Sequence, residues 1–160
     1  MARPHHIDDP QDFPQHLTWV TKERSAVFAE NKSADCCLWA LEKERARLRV
    51  DVFAYALMPD HLHVVIGPSI WPLGFIVQGI KLATTYWLKA HGLASGPVWA
   101  RGYWDRALRN EAALRRAIEY VHANPIKQGL CSDPADFSHS GAAHLSDTKK
   151  SVVQIALPPL

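Results

Sequence analysis

Residues 50–66 restrict the fold of this chain more than any other stretch. Val50 to Met58 is rich in β-branched and aromatic residues, Pro59-Asp60 is turn chemistry, and His61 to Ile66 is again strand-forming until Gly67-Pro68. The run reads as a β-hairpin. Before it, Gln15 to Val20 alternates weakly around Leu17, Trp19 and Val20 and predicts a first strand, followed by a loop or strand extension over Lys22 to Phe28. Ser33 can cap a helix running to about Arg49, with Ala34, Leu38, Leu41 and Leu48 at roughly helical spacing. After the hairpin, Pro72 to His91 predicts a second helix that Gly92 stops, and Val98 to Leu108 a fourth strand. Asn110 caps a third helix from Glu111 to about Ala123, with Pro125 beyond it.

The order β-α-β-β-α-β-α predicts an α+β fold: a ferredoxin-like, split β-α-β antiparallel sheet with an added C-terminal helix that carries Tyr120. The 160 residues suit one domain, expected over 15–130, between a polar N-terminal segment (1–14) and a tail (131–160) that reads as irregular.

Composition narrows the class. Charged residues make up 21% and apolar residues 48%, as in a globular protein. No apolar run reaches the roughly 18–20 residues of a membrane span, so no membrane association and a cytoplasmic location are expected. Cys36 and Cys37 are adjacent in a helix and Cys131 stands apart, which predicts reduced, structural thiols. The net charge of +2 hides an asymmetry: residues 81–127 hold eight Lys/Arg against three Asp/Glu. A basic half suits a polyanion such as DNA, and equally a solvated helical surface.

Two motifs carry chemistry. His61 and His63 lie two apart in a strand, so both imidazoles project from one face while Leu62 points the other way. Neighbouring neutral imidazoles are good ligands for a divalent metal; the plainer reading is two surface histidines. In the third helix, Leu114, Ala117, Ile118 and Val121 form one stripe, and Tyr120 lies about 100° off it. Arg116 is one turn before Tyr120 and Asn124 one turn after, making a ladder beside the core face. A phenol near a cation is a candidate nucleophile, and the Asn124 side-chain oxygen a candidate third ligand; the plainer reading is a half-packed tyrosine.

Three strings, in order, carry a resemblance. Met58-Pro59-Asp60-His61-Leu62-His63-Val64-Val65 resembles the His-hydrophobe-His (HUH) motif of single-tyrosine insertion-sequence transposases. Val98-Trp99-Ala100-Arg101-Gly102-Tyr103-Trp104-Asp105 is similar to their Trp-x-x-Arg-(Tyr/Phe)-Trp-(Asp/Glu) strand. Tyr120-Val121-His122-Ala123-Asn124-Pro125, continued by Gly129-Leu130, resembles the Tyr-Ile-x-x-Asn-Pro…Gly-Leu element of the REP-associated branch. Where that family often has Trp-Ser-Ser, this chain has Asp136-Phe137-Ser138-His139-Ser140, which leaves the tail's path open.

The resemblance spans about residues 15–140. It implies a catalytic domain with Tyr120 as nucleophile, His61, His63 and Asn124 as ligands of Mg2+ or Mn2+, and single-stranded or hairpin DNA as substrate. The activity it implies is a DNA strand transferase and endonuclease that cuts and rejoins through a 5′-phosphotyrosine. Lys81, Lys89, Arg101, Arg106, Arg109, Arg115, Arg116 and Lys127 are the expected phosphate contacts. Trp71, Trp87, Trp99, Tyr103 and Trp104 are candidate stacking platforms, with Trp99 and Trp104 read as core members because they bracket a strand. Rival readings are a metal nuclease that activates water and a domesticated DNA-binding protein without activity. Quaternary state stays open, a homodimer among the options, as does whether Tyr120 faces its own histidine pair.

Overall fold

The computed structural model describes residues 12–142 and Ile155; the N-terminal segment up to residue 11 and tail positions 143–154 and 156–160 lie outside the described residues. The elements are β1 (Gln15–Val20), α1 (Asn31–Leu48), β2 (Val52–Met58), β3 (His61–Ile66), α2 (Leu73–Ala90), β4 (Trp104–Ala107), α3 (Glu111–Lys127) and β5 (Ser140–Ala142). The strands make one antiparallel sheet in the order β4-β1-β3-β2-β5. Helix α1 joins β1 to β2 across β3, and α2 joins β3 to β4 across β1. That is the expected split β-α-β plan, with a fifth strand added at the β2 edge.

Side-chain alternation sorts the two faces. Leu17 and Trp19 of β1, with Leu62, Val64 and Ile66 of β3, are buried against α1 and α2. His16, Thr18, His61, His63 and Val65 take the other face. Strand β2 joins this scheme through a register shift between Val52 and Ala54. The extra residue lets Phe53 and Ala54 both pack with the α3 layer, while Tyr55 and Leu57 return to the α1–α2 core.

Helix α3 lies on that second face through Leu114, Ala117, Ile118 and Val121, the stripe read from the sequence. It packs on β2, β3 and β5. Beneath it, Ala54 and Ala56 are fully buried, so the helix can approach the sheet closely. Among the described residues, the half of the face formed by β1 and β4 is left open.

Four boundaries differ from expectation. Helix α1 starts at Asn31 with Glu30 as its cap, and Ser33 instead donates its hydroxyl to the Glu30 carboxylate at 2.9 Å. Strand β4 is short because Gly102 takes φ 79, a left-handed conformation that breaks the extended run from Val98. The 98–103 segment is instead pinned by the Lys22 N–H on Val98 O and the Ala100 N–H on Val20 O. Helix α3 continues through Pro125 to Lys127 rather than ending near Ala123. Pro125 withholds one N–H within the last turn, and the Gln128 N–H still donates to Asn124 O at 3.0 Å, so the helical path persists. The tail is not wholly irregular: β5 pairs with β2, Ala54 opposite Ala142.

Among the described residues, no helix is long and apolar enough to cross a membrane. All three cysteines are free thiols, and burial pushes Cys37 up to about 12.

The close approach of α3 yields a prediction. Ala56→Leu should overpack the α3 layer and cost about 1–3 kcal/mol, read as a lower urea midpoint at unchanged m-value. An unchanged midpoint would show that α3 does not rest on these two alanines.

Candidate active site

Strand register builds the site. Thr18 of β1 pairs with both His63 of β3 and Trp104 of β4, and His16 pairs with both Val65 and Arg106. Two parallel rows therefore cross the α3 face: Trp104, Thr18, His63 in one and Arg106, His16, Val65 in the next. His61 and His63 share this face as expected, their ring centroids 4.9 Å apart at an interplanar angle of 86°.

Each imidazole is oriented by a neighbour. His61 Nδ1 lies 2.6 Å from Asp60 Oδ1. An ionised carboxylate only accepts, so Nδ1 carries the proton and Nε2 keeps its lone pair. Asp60 is itself held by Arg24, whose Nε is 3.5 Å from Oδ2. The loop that presents Arg24 has Glu23 and Arg24 at φ 56 and 55. Two successive left-handed non-glycine residues cost roughly 1–2 kcal/mol each, a strain that gathers at functional sites. His63 Nδ1 lies 2.9 Å from the Thr18 hydroxyl and 3.2 Å from His16 Nε2. A proton on His63 Nδ1 satisfies either neighbour and leaves Nε2 free.

Both inner imidazoles are neutral. Burial, followed by the nearby His16 and His61, lowers His63 to about 3. Burial and the Arg106 guanidinium lower His16 to about 4.

Tyr120 is 43% exposed. Its ring stands perpendicular to that of His63, centroids 5.6 Å apart, and 5.8 Å from that of His16. The tyrosine thus meets His63 and His16 of its own chain. The Lys127 ammonium sits 5.0 Å from the Tyr120 ring centroid, a cation–π distance. One turn beyond Tyr120, Asn124 is buried and its Oδ1 has no hydrogen-bond partner. An unsatisfied buried carbonyl costs about 1–3 kcal/mol, which a bound cation would offset. Among the described residues no three His, Cys, Asp or Glu side chains are placed to hold a metal ion together, and the Asn124 oxygen is a donor of another type. Two oriented imidazoles and an orphaned amide oxygen fit a divalent cation.

Beside the histidines, between α3 and the open β1–β4 half of the sheet, lies a cleft of about 410 Å³. His16, Thr18, His63, Arg106, Arg116 and Tyr120 form its polar lining. Arg106 and Arg116 are thus at the cleft, and Lys127 is beside Tyr120.

The remaining expected phosphate contacts lie elsewhere. Arg109 covers the Phe13 ring at 5.2 Å, and Arg115 pairs with Glu111 at 3.3 Å. Arg101 lies on the 98–103 segment, outside the cleft lining. Lys81 donates to Ala100 O at 2.9 Å and Gly102 O at 2.7 Å, so it fastens that segment to α2. Lys89 is exposed at the end of α2.

The aromatics divide similarly. Trp71 donates to Leu48 O and stacks on Phe75, Trp87 stacks on His91, and Trp99 packs on Phe28, all on the α1–α2 side. Tyr103 packs there too. Trp104 is not a core member: it is 45% exposed, because β4 is an edge strand and its even-numbered side chains face the uncovered half-sheet.

Sequence reading missed His16 and Thr18 as site residues and took Asp60 mainly as turn chemistry. The available signal was the polar i, i+2 pair in β1, opposite in phase to Leu17 and Trp19.

Comparison with known proteins bears on the family and the fold. The family model described as "Transposase IS200 like" matches residues 11–124. A REP-associated tyrosine transposase of Escherichia coli is 24% identical over 95 residues, covering 56% of this chain and 53% of that protein. An uncharacterized protein of Haemophilus influenzae is 28% identical over 103 residues, covering 50% and 56%. The chain spans about half the length of these curated relatives. Among solved structures, the REP-associated tyrosine transposase bound to a REP hairpin superposes with a TM-score of 0.71 at 17% identity, over 98% of this chain and 100% of that one. A transposase candidate from Deinococcus radiodurans gives 0.53 at 22% identity, over 74% and 96%. At such identities the likeness is one of fold.

The neutral histidines make stability acid-sensitive. An unfolded imidazole protonates near 6.5, whereas His63 and His16 in the fold do so only near 3 and 4. Between these values the unfolded chain binds more protons, so stability falls as pH drops through that window and is independent of these groups above it. Urea midpoints measured from about pH 7 down to about pH 5 should decline, and decline less in His63→Asn. Equal declines would mean that His63 is not buried neutral.

Proposed function

Because this chain belongs to the IS200-like transposase family, we propose that it cleaves and rejoins single-stranded or hairpin DNA through a 5′-phosphotyrosine on Tyr120. One observation carries the proposal: the Tyr120 ring stands 5.6 Å from the buried, oriented His63 of the same chain, with the orphaned Asn124 oxygen one helical turn further on. Hairpin DNA as substrate draws support from the similar fold of a protein bound to a REP hairpin.

In this reading His61, His63 and Asn124 hold Mg2+ or Mn2+, which when bound supplies Lewis-acid polarisation of the scissile phosphate. The chain's own groups do the rest. Tyr120 Oη attacks phosphorus in line, the bond from phosphorus to the 3′ oxygen breaks, the phenolic proton passes to solvent at the exposed side of the ring, and the departing 3′ oxygen takes a proton from solvent. The products are a phosphotyrosine on the 5′ side and a free 3′-hydroxyl. The covalent link conserves the bond energy, so attack by another 3′-hydroxyl reseals a strand without ATP. Asp60 keeps the His61 lone pair available, and Thr18 does the same for His63. Arg106, Arg116 and Lys127 surround the reacting centre and serve as phosphate contacts. Arg101, Arg109 and Arg115 are proposed as outlying ones. A nuclease that activates water is favoured less, since it calls for a free carboxylate, and Asp60 is committed to His61 and Arg24.

Tyr120→Phe should retain DNA binding and lose both cleavage and the covalent protein–DNA band on a denaturing gel, by about three orders of magnitude or more. A persistent covalent band would remove Tyr120 as the nucleophile. Asp60→Ala should weaken Mn2+ binding by about 10–100-fold in calorimetry, and Asn124→Ala should weaken it as well. Unchanged Mn2+ affinity in both would count against the ligand set.

A further inference from the structure

The cleft beside the histidines has a second lining that strand transfer does not require. Its floor is apolar: Leu108 is buried, and Ala113 and Ala117 of α3 lie one turn apart above it. Its wall is formed by two rings, His16 and Tyr120, with centroids 5.8 Å apart. At its edge stand Arg106 and Arg116, and neither makes a salt bridge among the described residues.

Each part has a chemical counterpart. A phosphate alone would need only the two guanidinium groups and would leave the alkyl floor and the ring wall without a partner. A flat heteroaromatic group with an attached phosphate uses all three. The volume, about 410 Å³, falls in the range of roughly 300–1,000 Å³ that encloses small ligands. The space exists because positions 113 and 117 are alanine; a longer side chain at either would enter it. The cleft is walled by helix and sheet, so a base can reach the floor only when it is unpaired and turned out of its stack.

We propose that this cleft is a pocket for one unpaired nucleotide, its base on Leu108, Ala113 and Ala117 and its phosphate between Arg106 and Arg116. Resting on the strand-transfer reading above, the nucleotide is one of the two that flank the phosphodiester attacked by Tyr120. The pocket would then give the protein a direct choice of base at the cut, in addition to any recognition of hairpin shape.

The test uses the four deoxynucleoside 5′-monophosphates, each titrated into the full chain, with methyl NMR of Leu108, Ala113 and Ala117 as readout. At least one should shift these methyls saturably and give nuclear Overhauser contacts from its base protons to them. Inorganic phosphate at equal concentration should not shift them. Ala113→Leu should weaken mononucleotide binding about tenfold. The proposal is overturned if phosphate alone reproduces the shifts, if no mononucleotide shows base-to-methyl contacts, or if a folded Ala113→Leu binds as well as the parent. Should Ala113→Leu not fold, the base-to-methyl contacts in the unaltered protein decide. A mononucleotide cannot form the strand-transfer adduct. Failure here therefore leaves the Tyr120 assay untouched, and a missing covalent band leaves the mononucleotide result standing.

Discussion

The rest of the molecule depends on the two-sided burial of β3. This strand lies between β1 and β2 and alternates between two environments. Leu62, Val64 and Ile66 seal the α1–α2 core, and His61 and His63 are turned by the same alternation toward α3. A one-residue slip would exchange the two sets, placing imidazoles in the larger core and leucine at the site. The hydrophobic cost of that exchange fixes the face on which the histidines lie.

Orientation of the imidazole rings is a separate matter and comes from polar neighbours. Asp60 at the hairpin turn governs His61, and Thr18 with His16 governs His63. Burial keeps His63 and His16 uncharged, so His63 Nε2 keeps its lone pair where a solvated imidazole would begin to protonate. Tyr120, on the far side of the gap, is half exposed and lies under the Lys127 ammonium. The arrangement sets the buried, neutral imidazoles of His63 and His16 against a wetter, cation-flanked phenol.

Much of this was legible in the sequence because it rests on local periodicity. The hairpin over 50–66, the shared face of His61 and His63 and the buried stripe of α3 follow from periods of 2 and 3.6. What escaped depends on register between distant segments. His16 becomes a site residue only because β1 pairs with β3 in one alignment, and Trp104 is exposed only because β4 ends the sheet. Pro125 read as a stop, yet one withheld N–H in a last turn is a small loss once Pro125 itself is buried. The pairing of Ser140–Ala142 with β2 had no hydrophobic alternation to announce it.

The two faces of the sheet are unequally covered. Two helices span one face, and a single helix, seated over β2, β3 and β5, spans the other. Among the described residues, the strip bearing Trp104, Thr18, Arg106 and His16 has no layer of its own above it. Among the described residues one face of the sheet is covered and the other half covered, and the bare strip is bordered by Arg106 and Arg116 and by the small side chains Ala113 and Ala117 of α3. Whatever settles there completes the architecture as much as it occupies a site, so part of the binding energy of such a guest would come from the sheet's own unmet need for a neighbour.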